Sequence, residues 1–124
     1  MSLVSTNWLN KNLKKVKIID CSWHMPSTKR NGYNEYLKEH IPEAIFFDID
    51  KNSDLDTDLP HMLPKATYFQ KIVSNLGITN KDKIVIYDNS DVFSACRCWF
   101  TFFYFGHNPK KLDRKSTRLN SSHW

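Results

Sequence analysis

A chain of 124 residues in which 40% of the side chains are hydrophobic and 25% are charged has the composition of one globular domain, which excludes a disordered, collagen-like or multidomain protein. The net charge is +5 at pH 7, but residues 113–124 hold three of the 18 basic and one of the 13 acidic side chains, which leaves +3 for residues 1–112. Scattered lysines at this low charge do not indicate a nucleic-acid-binding surface.

The first half of the chain predicts helices that alternate with buried strands. Ser5 is a candidate N-cap for a short helix through Trp8 and Leu13, because its hydroxyl can accept a hydrogen bond from a first-turn N–H group. Residues 16–20, which include three β-branched side chains, predict a strand, residues 33–40 a short helix, and residues 44–49 a second strand. The polar residues 50–64 form a loop of about 15 residues, a length that is typical of functional loops.

The second half continues the same alternation. A helix that starts near Thr67 is predicted from apolar residues at helical spacing, and Gly77 is expected to end it. Residues 83–87 predict a third strand, followed by a turn at residues 88–91. Residues 92–105 predict a helix that is apolar on nearly every side, so we expect other structure to cover it. The alternation predicts an α/β fold with an open, mostly parallel sheet that is flanked by helices.

Neither a membrane span nor an export signal is predicted. The longest apolar stretch, residues 93–105, contains Arg97 and is shorter than the roughly 20 residues that a spanning helix needs. Cys21, Cys96 and Cys98 are an odd number of cysteines without a secretory signal, which favours reduced thiols and a cytoplasmic location. We expect all three to be packing residues, and we expect no metal site and no cofactor.

The periodic pattern stops after Leu112. Residues 113–124 have no helical or strand periodicity, and they resemble translated sequencing-adapter sequence. We therefore predict a domain at residues 1–112 that is incomplete at its C-terminus, followed by a non-native or disordered tail. Because another strand is due at this point, we expect the strand at residues 83–87 to have an unpaired edge.

Two acidic residues, Asp48 and Asp50, stand at the end of the second predicted strand, at the sheet edge where α/β folds place their sites. An apolar strand that ends in Asp-x-Asp resembles the opening motif of the haloacid dehalogenase-type phosphatases, which bind Mg²⁺. Lys51 and Asn52 depart from that motif, and it normally stands near the N-terminus of a domain. The phosphatase hypothesis is therefore the third of three.

A second resemblance covers residues 3–112. In residues 36–44, Tyr36 precedes the run His40-Ile41-Pro42 and Ala44, which resembles the rhodanese-domain signature with Glu43 in place of its glycine. We expect the turn to tolerate this glutamate, since only a requirement for a positive φ would exclude it. Seven further blocks resemble, in order, the N-terminal half of the tandem-domain sulfurtransferases that use mercaptopyruvate or thiosulfate: Val4-Ser5-Thr6-x-Trp8-Leu9, Ile19-Asp20, Phe46-Phe47-Asp48-Ile49-Asp50, Leu59-Pro60-His61-Met62-Leu63-Pro64, Ile86-Tyr87-Asp88, Phe93-Ser94-Ala95-x-Arg97 and Phe105-Gly106-His107.

The resemblance implies a reaction in which a cysteine thiolate takes up sulfur as a persulfide and passes it to a thiol, to cyanide or to thioredoxin. In this family the nucleophilic cysteine directly follows the strand that corresponds to residues 83–87. This sequence has Asp88 at that position. An aspartate cannot carry sulfane sulfur, so Asp88-Asn89-Ser90-Asp91 would be a pseudo-active loop. The resemblance therefore implies a silent N-terminal domain, inactive alone, whose main partner is a C-terminal rhodanese domain that this chain lacks.

The resemblance also implies an accessory role for Asp50 and His61, which match an acid and a histidine proposed to relay a proton in the mercaptopyruvate enzymes. Arg97, the one charge on an apolar helix, is expected to form a structural ion pair with Asp88 or Asp91. The parent protein would bind a small-molecule sulfur donor and a thiol acceptor, but no nucleic acid and no membrane. The main alternative is a stand-alone, non-catalytic rhodanese-like module that binds a partner.

Overall fold

The computed structural model describes residues 2–57, 59, 62–90 and 94–115. Five strands form one sheet in the order β1-β5-β4-β2-β3, and each neighbouring pair is parallel, which confirms the predicted α/β class. None of the described helices is long and apolar enough to cross a membrane. The elements, in chain order, are β1 Ser2–Val4, α1 Thr6–Lys11, β2 Lys17–Asp20, α2 Gly32–Lys38, β3 Ile45–Phe46, α3 Ala66–Asn75, β4 Ile84–Tyr87, α4 Ser94–Tyr104 and β5 Leu112–Lys115, with 3-10 turns at Pro26–Thr28 and Pro109–Lys111.

Residues at the helix ends determine where the helices begin and end. The Ser5 hydroxyl accepts a hydrogen bond from the Trp8 N–H at 3.0 Å, which confirms the predicted cap of α1. The Asn31 side chain accepts one from the Asn34 N–H at 2.9 Å and caps α2 in the same way. Gly77, directly after the last turn of α3, has φ 74°, the left-handed conformation that was expected there.

The core has two halves, one on each face of the sheet. Neighbouring residues of a strand point to opposite faces, so Ile18 and Val85 belong to one half whereas Ile19 and Ile86 belong to the other. The first half is closed by α1 and α2, and the second by α3 and α4. Because β4 and the centre of β2 are buried on both faces, Ile84–Tyr87 and the pair Ile18-Ile19 are continuous apolar runs.

One face of α4 is less covered than expected. The side of α4 that contacts the sheet includes Ala95, Cys98 and Phe102, which are at most 2% exposed. Among the described residues, by contrast, Phe103 and Tyr104 leave 45% and 60% of their surface exposed. The expectation of a helix covered on nearly every side is therefore wrong for this chain, because the sheet covers only one stripe of it.

The fifth strand corrects the expectation of an unpaired edge. Leu112 pairs with Ile84 of β4, and Asp113 pairs with both Val85 of β4 and Ser2 of β1, so β4 has a neighbour on each side. The ordered sheet extends three residues beyond Leu112. The polar run Asp113-Arg114-Lys115 has no strand periodicity, and it is the backbone hydrogen bonds of two neighbouring strands that hold it extended. That residues 113–124 are not native stays a prediction.

This strand buries charged side chains in the sheet. Asp113 is 5% exposed, and the Lys83 ammonium lies 3.4 Å from its carboxylate. Lys115 is 2% exposed, and burial lowers the pKa of its ammonium group to about 8. Removing a charge from water costs free energy, so burial of the Lys115 ammonium destabilises the strand that it belongs to.

The turn before β3 corrects a second expectation. The Ala44 N–H donates to the Ile41 carbonyl at 2.9 Å, and this closes a four-residue turn with Pro42 and Glu43 at its centre. Glu43 has φ 71°, as the third residue of a type II turn requires, so the assumption that this turn needs no positive φ is wrong. A glutamate can occupy the position, but only with backbone strain of about 1 kcal/mol.

We expect Lys115→Met to raise the free energy of unfolding at pH 7 by about 1–2 kcal/mol, because each unit of pKa depression corresponds to at most about 1.4 kcal/mol and the contact that Lys115 makes in the folded chain offsets part of the cost. Between about pH 8 and 10.5 the unfolded chain binds more protons than the folded chain, so the original chain gains stability with rising pH and the difference shrinks. Urea unfolding at several pH values measures both effects. Lys71→Met, at an exposed position of α3, is the control, and a pH-independent difference would contradict the assignment.

We expect Glu43→Gly to stabilise the chain by about 1 kcal/mol, because glycine adopts a positive φ without steric cost. Thermal unfolding of this variant beside Glu43→Ala measures the effect. Alanine removes the carboxylate but keeps the Cβ atom and therefore the strain. Equal stabilisation by both substitutions would assign the effect to the charge and not to the backbone.

Candidate functional site

The carboxyl ends of the strands meet at one edge of the sheet, because all the strands are parallel. Asp20 at the end of β2 is aligned with Tyr87 of β4 on one side and with Phe46 of β3 on the other. The loops that follow these three strands therefore lie beside one another. This is the edge at which the sequence places Asp48, Asp50 and the turn at residues 88–91.

A serine joins the ends of β2 and β4. Asp20 is 2% exposed, and one oxygen of its carboxylate accepts hydrogen bonds from both the N–H and the hydroxyl of Ser22, at 2.9 and 2.7 Å. The Ser22 hydroxyl oxygen in turn accepts a bond from the Asn89 N–H at 2.8 Å. Burial raises the pKa of Asp20, while the two bonds from Ser22 act in the opposite direction. The network ties the first residues of the loop after β4 to β2.

A cavity of about 220 Å³ opens beside this network, between the strand ends and α2, with Asp20, Ser22, Glu35 and Asn89 in its lining. Its shape depends on Gly32, because a Cβ atom at that position would lie 2.4 Å from the Ser22 carbonyl oxygen. The first turn of α2 can approach the loop after β2 only without a side chain there.

An arginine holds one wall of this cavity in place. Arg30 donates two hydrogen bonds to the carboxylate of Glu35, at 3.0 and 2.8 Å. These bonds are the main cause of a lowered pKa for Glu35. Glu35 is therefore a paired carboxylate with a structural role, and it is not suited to act as a proton donor near neutral pH.

Asp88, at the position where the resemblance expects a nucleophile, is bound to the start of α4. One oxygen of its carboxylate accepts a hydrogen bond from the Ala95 N–H at 2.7 Å, and the other accepts one from the Ser90 N–H at 3.4 Å. An anion at this place is favoured by the unpaired N–H groups and the dipole of the helix. Asp88 thus stabilises the loop and the helix start.

Asp50 lies next to the loop after β2. Its carboxylate accepts a hydrogen bond from the indole N–H of Trp23 at 3.0 Å. Asp48 has a different task, because one of its oxygens accepts bonds from the backbone N–H groups of Asp50 and Lys51, at 3.0 and 3.1 Å. Asp48 therefore shapes the turn from which the Asp50 side chain projects.

Two of the predicted site residues, His61 and Asp91, lie outside the described residues. Arg97 is half-buried on α4, and both oxygens of Asp88 accept hydrogen bonds from backbone N–H groups. The predicted ion pair of Arg97 with one of the two aspartates stays a prediction, as does the joint role of Asp50 and His61.

None of the three cysteines is an exposed nucleophile at a strand end, although Cys21 follows β2 directly. Cys21 and Cys98 are fully buried, and Cys96 is half-buried. The Cys21 thiol donates to the Ser94 carbonyl at 3.4 Å, and burial raises its pKa well above the ordinary value. A buried thiol with a raised pKa is a poor nucleophile, which agrees with the packing role expected of Cys21.

Sequence reasoning missed three residues of this edge: Ser22, Trp23 and Gly32. The first two lie in the loop that begins directly after β2, so the same rule that selects the residues after the other strands would have selected them. The requirement for glycine at residue 32 has no local signal, because it comes from a contact with residue 22.

Comparison with known proteins gives a family match and similar proteins. The model of the family described as "Rhodanese-like domain" matches residues 5–114. "Thiosulfate/3-mercaptopyruvate sulfurtransferase 1, mitochondrial" of Arabidopsis thaliana is 50% identical over 107 residues, which are 85% of this chain and 28% of that protein. The 3-mercaptopyruvate sulfurtransferase of Rattus norvegicus is 40% identical over 119 residues, which are 90% of this chain and 40% of that protein.

Solved structures show the same architecture. SseA of Escherichia coli, a 3-mercaptopyruvate sulfurtransferase, superposes with a TM-score of 0.87 at 32% identity. The superposition covers 100% of this chain and 47% of the SseA chain. A yeast sulfur transferase subunit of mitochondrial complex I superposes with a TM-score of 0.84 at 36% identity. This superposition covers 93% of this chain and 38% of the yeast subunit. This chain thus spans less than half the length of each of these similar proteins.

We expect Asp88→Ala to lower the free energy of unfolding by about 1–2 kcal/mol, because it removes the acceptor of the N–H groups of Ala95 and Ser90. Urea unfolding measures the change. Asp56→Ala is the matched control, since Asp56 is exposed and solvent screens its ion pair with Lys65, so that the pair contributes little to stability. Equal losses in the two variants would show that Asp88 does not cap α4.

Proposed function

This chain belongs to the rhodanese-like domain family, and on that premise we propose that it is the non-catalytic N-terminal domain of a longer sulfurtransferase. The predicted rhodanese fold is confirmed. The similar proteins are named as sulfurtransferases that use 3-mercaptopyruvate, thiosulfate or both. The parent protein would carry sulfane sulfur on a cysteine of a second, C-terminal domain and pass it to cyanide or to a thiol such as that of thioredoxin.

The contacts of Asp88 carry the proposal. A sulfur carrier at this position would need a free thiolate, whereas the Asp88 carboxylate is used to cap α4. None of the three cysteines lies in the loop after β4, and Cys21 is a buried thiol with a raised pKa. The pseudo-active loop of this domain therefore supports structure, and the chemistry is assigned to residues of the parent outside this chain.

The role proposed for this domain is to supply Asp50 and His61 as an accessory proton relay. When a cysteine thiolate attacks the sulfur of 3-mercaptopyruvate, an S–S bond forms, the C–S bond breaks, and the leaving carbon needs a proton. A histidine that titrates near neutral pH suits this transfer, and a carboxylate beside it holds its ring in one orientation. Asp50 is exposed at the sheet edge, where a neighbouring domain can reach it.

The phosphatase hypothesis is not retained. The match to the rhodanese-like family covers residues 5–114 and therefore includes the Asp-x-Asp sequence. The stand-alone binding module stays as the alternative function. The cytoplasmic location stays a prediction, and one of the similar proteins is described as mitochondrial.

The source gene and a transfer assay test the proposal together. We expect the reading frame of the gene to depart from residues 113–124 and to continue into a second rhodanese-like domain with an exposed cysteine. The parent should form thiocyanate from cyanide and 3-mercaptopyruvate or thiosulfate, and substitution of that cysteine should abolish the activity.

The 124-residue chain should form no thiocyanate and should gain no sulfur atom in its mass spectrum. Replacement of Cys21, Cys96 or Cys98 in the parent serves as the matched control, and each should leave the transfer step intact. Sulfur bound to any of these three residues would contradict the assignment of a silent domain. A gene that ends at Trp124 would favour the binding module.

A further inference from the structure

The Asp50 carboxylate is held by a side chain that no part of the proposed relay includes. The indole N–H of Trp23 donates to its Oδ2 at 3.0 Å, although the two residues are 27 positions apart and follow different strands. Trp23 comes from the loop after β2, and Asp50 from the loop after β3. The bond therefore fixes one loop relative to the other at the sheet edge.

Trp23 is itself held in place from two directions. Its backbone follows residues that are tied to β4, since the Cys21 N–H donates to the Tyr87 carbonyl at 2.9 Å and Ser22 bridges Asp20 and Asn89. Its half-buried ring packs against the core half that α3 and α4 close. An indole with two side-chain torsions, anchored in this way, has little freedom to move.

The backbone of Asp50 is fixed separately. Its N–H donates to the Asp48 carboxylate at 3.0 Å, and its carbonyl accepts from the Ser53 hydroxyl at 2.8 Å. These bonds place the Cα atom but leave the side-chain torsions of Asp50 undetermined. The indole N–H acts on the carboxylate itself.

We propose that Trp23 is a positioning residue that holds the Asp50 carboxylate in the orientation the relay needs, an inference that rests on the function proposed above. An indole N–H is suited to this task because it only donates and does not titrate near neutral pH. It can orient a carboxylate without competing for the proton that the relay moves. The side-chain amide of an asparagine or a lysine ammonium would add an acceptor or a charge.

The test compares Trp23→Phe with Trp99→Phe in the full-length parent. Trp99 is the matched control because it is also half-buried against the same core half, and its indole N–H also makes one hydrogen bond, to the Leu112 carbonyl at 2.8 Å. We expect Trp23→Phe to lower kcat for 3-mercaptopyruvate about fivefold to tenfold, the effect of losing one solvent-exposed hydrogen bond of ordinary strength, with KM changed less than twofold. Trp99→Phe should change kcat less than twofold.

A double-mutant cycle with Asp50→Asn separates positioning from a general structural role. Trp23→Phe should change kcat less than twofold in the Asp50→Asn background, because its effect acts through the carboxylate. In the parent labelled with ¹⁵N-tryptophan, Asp50→Asn should shift the indole N–H resonance of Trp23 and leave that of Trp99 in place. This second measurement needs no activity and leaves Trp23 unsubstituted.

The outcomes distinguish the inference from the function that it rests on. Equal effects of the two tryptophan substitutions, additive effects in the cycle, or an unmoved Trp23 resonance would each overturn the positioning role while the relay stands. Full activity of Asp50→Asn would remove the relay itself, and with it the purpose of the contact. A parent that transfers no sulfur would contradict the proposed function as a whole.

Discussion

The parallel pairing of β2 with β4 is the constraint on which the rest of this domain depends. Both strands are buried on both faces, so the two halves of the core are built against them. Their register ends with Asp20 opposite Tyr87, and the Ser22 hydroxyl extends the connection one step beyond the last strand residues, to the Asn89 N–H. A change in this register would move every loop of the candidate site.

Most of the fold could be predicted from the sequence, because the periodic signals are local. The β-branched runs of β2 and β4, the Ser5 cap and the apolar spacing of α3 each act within a few residues. The strand β5 could not be predicted, because Asp113-Arg114-Lys115 is held extended only by hydrogen bonds to β1 and β4, which are distant in the chain. The exposed face of α4 was missed for a related reason, because composition does not show how much of a helix the sheet can cover.

The candidate site could likewise be predicted only in part from the sequence. The rule that loops after parallel strands meet at one edge was enough to select Asp48, Asp50 and Asp88, and the family resemblance separated their roles. The contacts between loops, from Trp23 to Asp50 and from Ser22 to Asn89, have no sequence signal, because the partners are distant in the chain. The positive φ of Glu43 is also invisible in the residue type, which is why the turn was misjudged.

Under the proposed function, the Asp88 carboxylate would let a non-catalytic domain keep the architecture of a catalytic one. The first N–H groups of α4 and the helix dipole favour a negative charge at the end of β4, whichever group carries it. In a domain with a cysteine at this position, that preference would stabilise a thiolate or a persulfide anion. Here the Ala95 N–H binds the side chain of Asp88 at 2.7 Å, so the same electrostatic property stabilises the fold. The loop therefore keeps an anion at the end of β4 without a sulfur carrier, and under the proposed function the chemistry would lie in the rest of the parent.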